Sequence, residues 1–164
     1  MVIAALDTPL GPATAASDGD ALTGFWFVGQ KYYPRGVADW TRSPDAAPFA
    51  ALREWLSAYF AGQGPACPFP LRPEGTAFQR AVWALLLTIP HGETTTYGRL
   101  AAELAARQGL PSMSAQAVGG AVGHNPISLL IPCHRVLGAS GALTGYAGGI
   151  EKKEALLRLE GARF

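Results

Sequence analysis

Two cysteines and three histidines are all the thiols and imidazoles that the 164 residues contain. Cys67 and Cys133 are too few for a disulfide framework or a four-cysteine zinc site, so cysteine here stands for reactivity or burial. No apolar run approaches the ~20 residues that span a bilayer. The N-terminal Met1-Val2-Ile3-Ala4-Ala5-Leu6-Asp7 has no basic flank before its short apolar stretch, so no signal peptide is expected and the cytoplasm is the default location. Charge of one sign is scarce as well, with a net value of +1. Its distribution is uneven: residues 1–71 hold four Lys/Arg against six Asp/Glu and residues 72–164 nine against six, which gives −2 and +3. A polyanion should prefer the second half. With 49% apolar and 15% charged residues, the chain should fold, as one full core or as two small domains.

The first forty residues carry short apolar runs at 2–6 and 21–28 and the Tyr32-Tyr33 pair, punctuated by Thr8-Pro9, Gly11-Pro12, Asp18-Gly19-Asp20 and Pro34-Arg35-Gly36. This pattern predicts a small antiparallel β-meander. Over 48–61, Phe49, Leu52, Trp55, Leu56 and Tyr59 recur at three- and four-residue steps, predicting a helix whose apolar stripe lies on that sheet. The Gly- and Pro-rich stretch 62–70 ends this unit, placing a boundary near residue 71 and two domains at 1–71 and 72–164. Cys67 lies in that stretch with no charged residue or histidine within four positions, and reads as structural or incidental.

Thr76 followed by Gln79 has the form of a capping box in front of a helix over 77–87. After the turn His91-Gly92-Glu93, the run Thr94-Thr95-Thr96 can cap a second helix over 97–107, with Leu100 and Leu104 inward. Ser112 or Ser114 can start a third helix over 115–123. Two short helices joined by a Gly-containing turn have the form of a helix-turn-helix. The third helix, Gln116-Ala117-Val118-Gly119-Gly120-Ala121-Val122, is unusually small-sided, at a propensity cost of about 1 kcal/mol for each interior glycine. Close packing against another helix and close approach to a nucleic-acid groove both fit. A last helix over 151–160 buries Leu156, Leu157 and Leu159.

Between the third and last helices lies Ile131-Pro132-Cys133-His134-Arg135-Val136. A thiol with a pKa near ~8.5 is only a few per cent thiolate at neutral pH, so a nucleophilic cysteine needs a base or a positive neighbour. His134 and Arg135 supply one of each. His91, His124 and Cys67 are too scattered to complete a metal site with Cys133, so no metal and no cofactor are expected.

The stretch from Asn125 to Val136, followed by Gly145-Tyr146-Ala147-Gly148-Gly149 and Lys153-Glu154, resembles the O6-alkylguanine-DNA alkyltransferases. The likeness runs from about Gly75 to Gly161, including Phe78-Gln79-Arg80 and Thr95-Thr96-Tyr97, and the Pro-Cys-His-Arg-Val core is highly specific. It implies an α+β fold, with an N-terminal ribonuclease-H-like α/β domain followed by a mostly helical C-terminal domain bearing the helix-turn-helix. Cys133 would take the alkyl group from guanine O6 (or thymine O4) once and irreversibly, in DNA repair on double-stranded DNA carrying O6-alkylguanine. His134 would accept the thiol proton through a water, and Glu154 would orient that imidazole. Asn125 would hold the turn between recognition helix and active-site strand, and Tyr97 would donate to the extruded base. Gln116, Ala117, Gly119, Gly120, Arg135, Thr95 and Thr96 would contact DNA, with the small-sided helix in the minor groove. Val122, Val136, Tyr146, Ala147 and Ser128 would line a pocket roomy enough for groups larger than methyl. The resemblance implies a monomer that can assemble cooperatively on DNA, with no membrane contact.

One position departs from the family pattern. Members usually carry arginine ahead of Ala-Val-Gly, a side chain that fills the space left by the extruded base; here it is Gln116. A glutamine fills space and hydrogen-bonds, but lacks the charge and stacking plane of guanidinium. Two other readings stand beside the leading one. A lesion-binding protein that flags damage without transfer lacks the motif cysteine, which Cys133 argues against. A thiol hydrolase using Cys133, His134 and Glu154 would need an oxyanion hole, for which nothing in the sequence speaks.

Overall fold

The computed structural model describes residues 1–164 and divides the chain into two compact units. Unit 1 is Met1–Glu74 with Pro126–Leu130; unit 2 is Gly75–Asn125 with Ile131–Phe164. The expected division at residue 71 placed 126–130 in the second domain. The structure gives that segment to unit 1, because Phe25 and Ile127 form a parallel bridge in which Phe25 N–H donates to the Pro126 carbonyl and Ser128 N–H to the Phe25 carbonyl, both at 2.9 Å.

Unit 1 is a four-stranded sheet in the order β3-β2-β1-β4, made of β1 (Val2–Thr8), β2 (Gly11–Ser17), β3 (Leu22–Phe27) and β4 (Thr41–Arg42). The expected all-antiparallel meander is wrong in two places. Pro12 does not interrupt a loop but opens β2, which pairs with β1 from Thr8↔Gly11 to Val2↔Ser17. Proline is tolerated as an early strand residue. The Ala-rich remainder of β2, flanked by strands on both sides, is buried from Ala13 to Ser17. The fourth strand comes from Thr41–Arg42, parallel to β1, while Tyr32 and Tyr33 form a turn in which Tyr32 has φ 62. Strand alternation sends Phe25 and Phe27 to one face of β3 and Trp26 to the other. There Trp26, Ile3 and Ala16 pack with Tyr33, Val37 and Trp40. Helix α1 (Ala47–Phe60) has Pro48 in its first turn and buries Phe49, Leu52, Trp55, Leu56 and Tyr59, the stripe expected from their spacing.

Unit 2 holds α2 (Ala77–Leu86), α3 (Tyr97–Arg107), α4 (Ala115–Gly123) and α5 (Ile150–Leu159), with a short parallel pair β5 (Thr95–Thr96) and β6 (Val136–Leu137). The caps read from the sequence are formed. Thr76 and Gln79 make both halves of a capping box, Thr96 accepts from Arg99 N–H, and Ser114 rather than Ser112 accepts from Ala117 N–H. Trp83 Nε1–H donates to the Ala121 carbonyl at 2.8 Å, pinning α2 to α4. A Cβ on Gly75 would lie 2.5 Å from the same indole, so only glycine fits there. No helix is long and apolar enough to cross a membrane.

Candidate active site

Cys133 begins a single helical turn, Cys133–Arg135, that leads directly into β6. Pairing of Val136 with Thr95 and of Leu137 with Thr96 sets that turn beside the start of α3. The turn is fixed from the other side by Asn125, just past the C-terminus of α4, whose amide donates to the Ile131 carbonyl at 2.8 Å. Cys133 is buried. Burial pushes its thiol pKa up, and a hydrogen bond from the Asn125 side chain, the Lys153 charge and the local backbone oppose that rise.

His134 is fully buried, and its Nε2–H donates to Glu160 Oε2 at 2.7 Å. That bond fixes the tautomer and leaves Nδ1 as the lone-pair nitrogen, which has no partner in the protein. Burial lowers the His134 pKa, the Glu160 carboxylate raises it, and the Arg135 and Lys153 charges lower it. The imidazole is therefore neutral near pH 7, the form a base requires.

The carboxylate on this histidine is not the expected one. Glu154 is half-exposed and accepts from Arg158 of the next turn at 2.8 Å. The reason is helical phase: α5 turns about 100° per residue, so with Lys153 facing inward, Glu154 swings toward solvent. Seven positions on from Lys153, Glu160 returns to the same side, and both are buried. The seven-residue spacing of Lys153 and Glu160, two helical turns on one face, was present in the sequence.

Arg135, expected on DNA, is also reassigned. Its Nε–H donates to Glu160 Oε1 at 2.8 Å, its Nη2 to Glu160 Oε2 at 3.1 Å and its Nη1 to the Ile89 carbonyl at 2.7 Å. With its side chain only 11% exposed, this guanidinium is occupied inside unit 2. Ser128, expected in the pocket, is a buried member of unit 1 whose hydroxyl donates to Gln30 Oε1 at 3.4 Å. Its partners, Gln30 and the Phe25 carbonyl of β3, lie about a hundred residues away in the chain, so the sequence around Ser128 carries no sign of them.

Lys153, to which the sequence assigns no role, is buried with its ammonium donating to the carbonyls of Val136, Thr144 and Gly145. It ties the glycine-rich loop to the strand that follows Cys133. Desolvation lowers its pKa to about 8, and the neighbouring thiolate raises it. Tyr97, the first residue of α3, reaches the same loop through a hydroxyl 3.5 Å from the Thr144 carbonyl, with the Lys153 ammonium 5.9 Å from its ring. Burial and the Cys133 charge raise the phenol pKa, so it remains a proton donor. Tyr146 and Ala147 are half-buried in the same loop, and Val136 and Val122 are buried.

On α4, Val118, Ala121 and Val122 face inward while Gln116, Ala117 and Gly120 are exposed. A Cβ built on Gly120 or Gly123 meets nothing within 4 Å, and one on Gly119 would make ordinary contact with Tyr97 at 3.6 Å. Nothing inside the protein therefore demands these glycines. Thr95 and Thr96 serve as a strand pair and, for Thr96, as the α3 cap.

Two family models cover nearly the whole chain: the ribonuclease-like domain of 6-O-methylguanine DNA methyltransferase at residues 1–73 and its DNA-binding domain at 77–162. The methylated-DNA–protein-cysteine methyltransferase of Mycobacterium tuberculosis (strain H37Rv) is 48% identical over 158 residues, which is 96% of this chain and 91% of the relative. The enzyme of that name from Methanosarcina acetivorans is 42% identical over 162 residues, 99% of each. A crystal structure of Mycobacterium tuberculosis OGT in complex with DNA superposes with a TM-score of 0.87 at 45% identity, covering 98% of this chain and 93% of that one. The α+β chain built around Cys133 belongs to the methylated-DNA–protein-cysteine methyltransferase family.

Proposed function

We propose that this protein repairs DNA by taking the alkyl group of O6-alkylguanine onto Cys133, once per molecule. The observation that carries this reading is the buried Cys133 followed directly by His134, whose imidazole is held by Glu160, which Arg135 holds in turn. The thiol proton passes through a water to His134 Nδ1, while Glu160 holds the opposite nitrogen and stabilises the imidazolium that forms. Cys133 Sγ attacks the alkyl carbon in line, the carbon–O6 bond breaks, and its electron pair returns to the guanine ring. Tyr97 supplies a proton to the ring, so guanine departs neutral. The resulting thioether is stable in water, so the cysteine is a reagent consumed by the reaction.

The alkyl group of such a lesion lies within the base stack, so the nucleotide must be extruded, at a cost of a few kcal/mol that is least for a poorly paired base. Helix α4 suits entry into the minor groove because its outward positions carry almost no side-chain bulk and no internal contact explains their size. Ala117, Gly119 and Gly120 form the approach surface, and Gln116 occupies the vacated stack. Val122, Val136, Tyr146 and Ala147 bound the base, with room for groups larger than methyl. A flagging protein that binds without transferring is the second reading, and the presence of Cys133 ahead of His134 speaks against it.

Intact-protein mass spectrometry after mixing with a duplex containing O6-methylguanine tests the chemistry. One methyl increment per molecule on the Cys133 peptide, absent in Cys133→Ser, is the expected result. Unmodified protein bound to the lesion duplex replaces transfer with flagging. Because Gln116 lacks the guanidinium, Gln116→Arg should raise duplex affinity or repair rate severalfold, and kinetics identical to the parent's would remove Gln116 from the stack.

A further inference from the structure

Unit 2 contains six arginines, and four have partners: Arg80 on the Gly75 carbonyl, Arg107 on Glu103, Arg135 on Glu160 and Arg158 on Glu154. The other two, Arg99 and Arg163, make no ion pair or side-chain hydrogen bond, yet they line one and the same cleft of about 320 Å³. No acidic side chain lines it, while Thr94, Thr95 and Ser140 add hydroxyls. Arg99 also sits in the first turn of α3, three residues after the Thr96 cap, in a turn with no acidic residue. There the unpaired amides and the helix dipole favour an anion, and a cation is out of place without one. Two guanidinia without side-chain partners and a helix start therefore border one space that an oxyanion would satisfy.

We propose that this cleft is a phosphate subsite, filled by a backbone phosphodiester of the bound duplex, and that Arg99 and Arg163 are its ligands. Guanidinium forks match the paired oxygens of a phosphodiester. The subsite rests on the DNA-binding reading above and extends it from α4 to the start of α3. It also gives Thr95 a DNA contact through its place in the cleft wall, while the Thr96 hydroxyl remains engaged as a cap.

The test is duplex binding by fluorescence anisotropy across a salt series, for the full chain and for Arg99→Gln, Arg163→Gln and the double variant. All are substitutions at exposed positions, with melting curves to confirm folding. Arg107→Gln, at the far end of α3, controls for general loss of charge. The slope of log K against log salt should flatten by about 1 in the double variant, the loss of one phosphate contact, and stay unchanged in the control. An unchanged slope in both overturns the subsite while leaving DNA binding intact; equal flattening in both reduces it to non-specific charge and overturns it too. A parent protein with no salt-dependent binding overturns the DNA reading itself. Inorganic phosphate at constant ionic strength separates the two sources of phosphate. If it displaces nothing while the double variant loses slope, the ligand belongs to the duplex. If it binds the cleft while the DNA slope is unmoved, the assignment to the duplex is wrong.

Discussion

Arginine meets carboxylate in both units, with opposite consequences. In unit 1, Arg72 lies between Asp18 and Asp20 on the surface, its side chain 55% exposed. The Asp18 pKa falls to about 2, chiefly through backbone N–H groups of Ala21 and Asp20, with Arg72 a smaller cause. That carboxylate mainly closes a turn, and the arginine decorates it. In unit 2, Arg135 meets Glu160 with the glutamate side chain 0% exposed, and the same carboxylate fixes His134. Water screens the first pair, whereas the second has no solvent to fall back on, so every member depends on the others. Burial turns an ion pair from ornament into a positioning device for the imidazole.

The largest effect should come from breaking the buried cluster. Glu160→Gln removes the charge that faces Arg135 and His134 together, and stranding a buried charge costs about 3–5 kcal/mol. The same change withdraws the partner of the imidazolium, so transfer from O6-methylguanine DNA should slow by about 10²-fold or more. Urea unfolding and single-turnover kinetics read the two quantities, and a variant within 1 kcal/mol and twofold of the parent would falsify the dependence claimed for Glu160.

Lys153 sharpens the contrast because its counterparts are carbonyls rather than a carboxylate. Its pKa is lowered from 10.5 to about 8 in the folded protein. Below about 8 the lysine is protonated whether folded or unfolded, and its burial cost is fully present. Between about 8 and 10.5 the unfolded chain binds the extra proton, so stability rises with pH across that window. In a Cys133→Ser background, where the neighbouring thiol no longer titrates, unfolding free energies should rise over this range and lose that rise in Lys153→Met. Parallel curves for the two would mean that the ammonium is better solvated than its burial implies.

Much of unit 2 was legible because its signals are local. The Thr76 and Gln79 capping box, the Thr96 cap and the inward stripe of α3 depend on residues three or four apart, and each formed where the spacing put it. Unit 1 was harder. The burial of β2 follows from β1 and β3 closing on it, and a run as bland as Pro-Ala-Thr-Ala-Ala-Ser carries no sign of that. In the site, Cys133, His134 and Asn125 lie within ten positions and could be read together. Ser128 could not, because its fate was set by Phe25 and Gln30 about a hundred residues away.

Cutting the exposed pair should cost little. Arg72→Ala should lower the melting temperature only slightly, and the loss should shrink in 1 M salt. Its backbone N–H would still donate to the Leu22 carbonyl at 2.8 Å, so the strap beside β3 stays in place. A loss as large as that of Glu160→Gln, and insensitive to salt, would move this arginine into the class of Arg135.

The smallest effect is also the sharpest division within α5. Glu154 and Glu160 carry the same charge six residues apart, and the family resemblance favours the first by its place beside Lys153. Glu154 pairs with exposed Arg158 one turn on, an arrangement worth about 0.3–0.5 kcal/mol. Glu154→Gln should therefore melt within about a degree or two of the parent and transfer methyl at the parent's rate. It makes no contact with His134, so the imidazole should keep its tautomer, which ¹⁵N chemical shifts of the ring report directly. Should Glu154→Gln slow transfer as Glu160→Gln does, the histidine would be oriented from solvent rather than from the core, and the difference drawn between exposed and buried carboxylates would fail where it matters most.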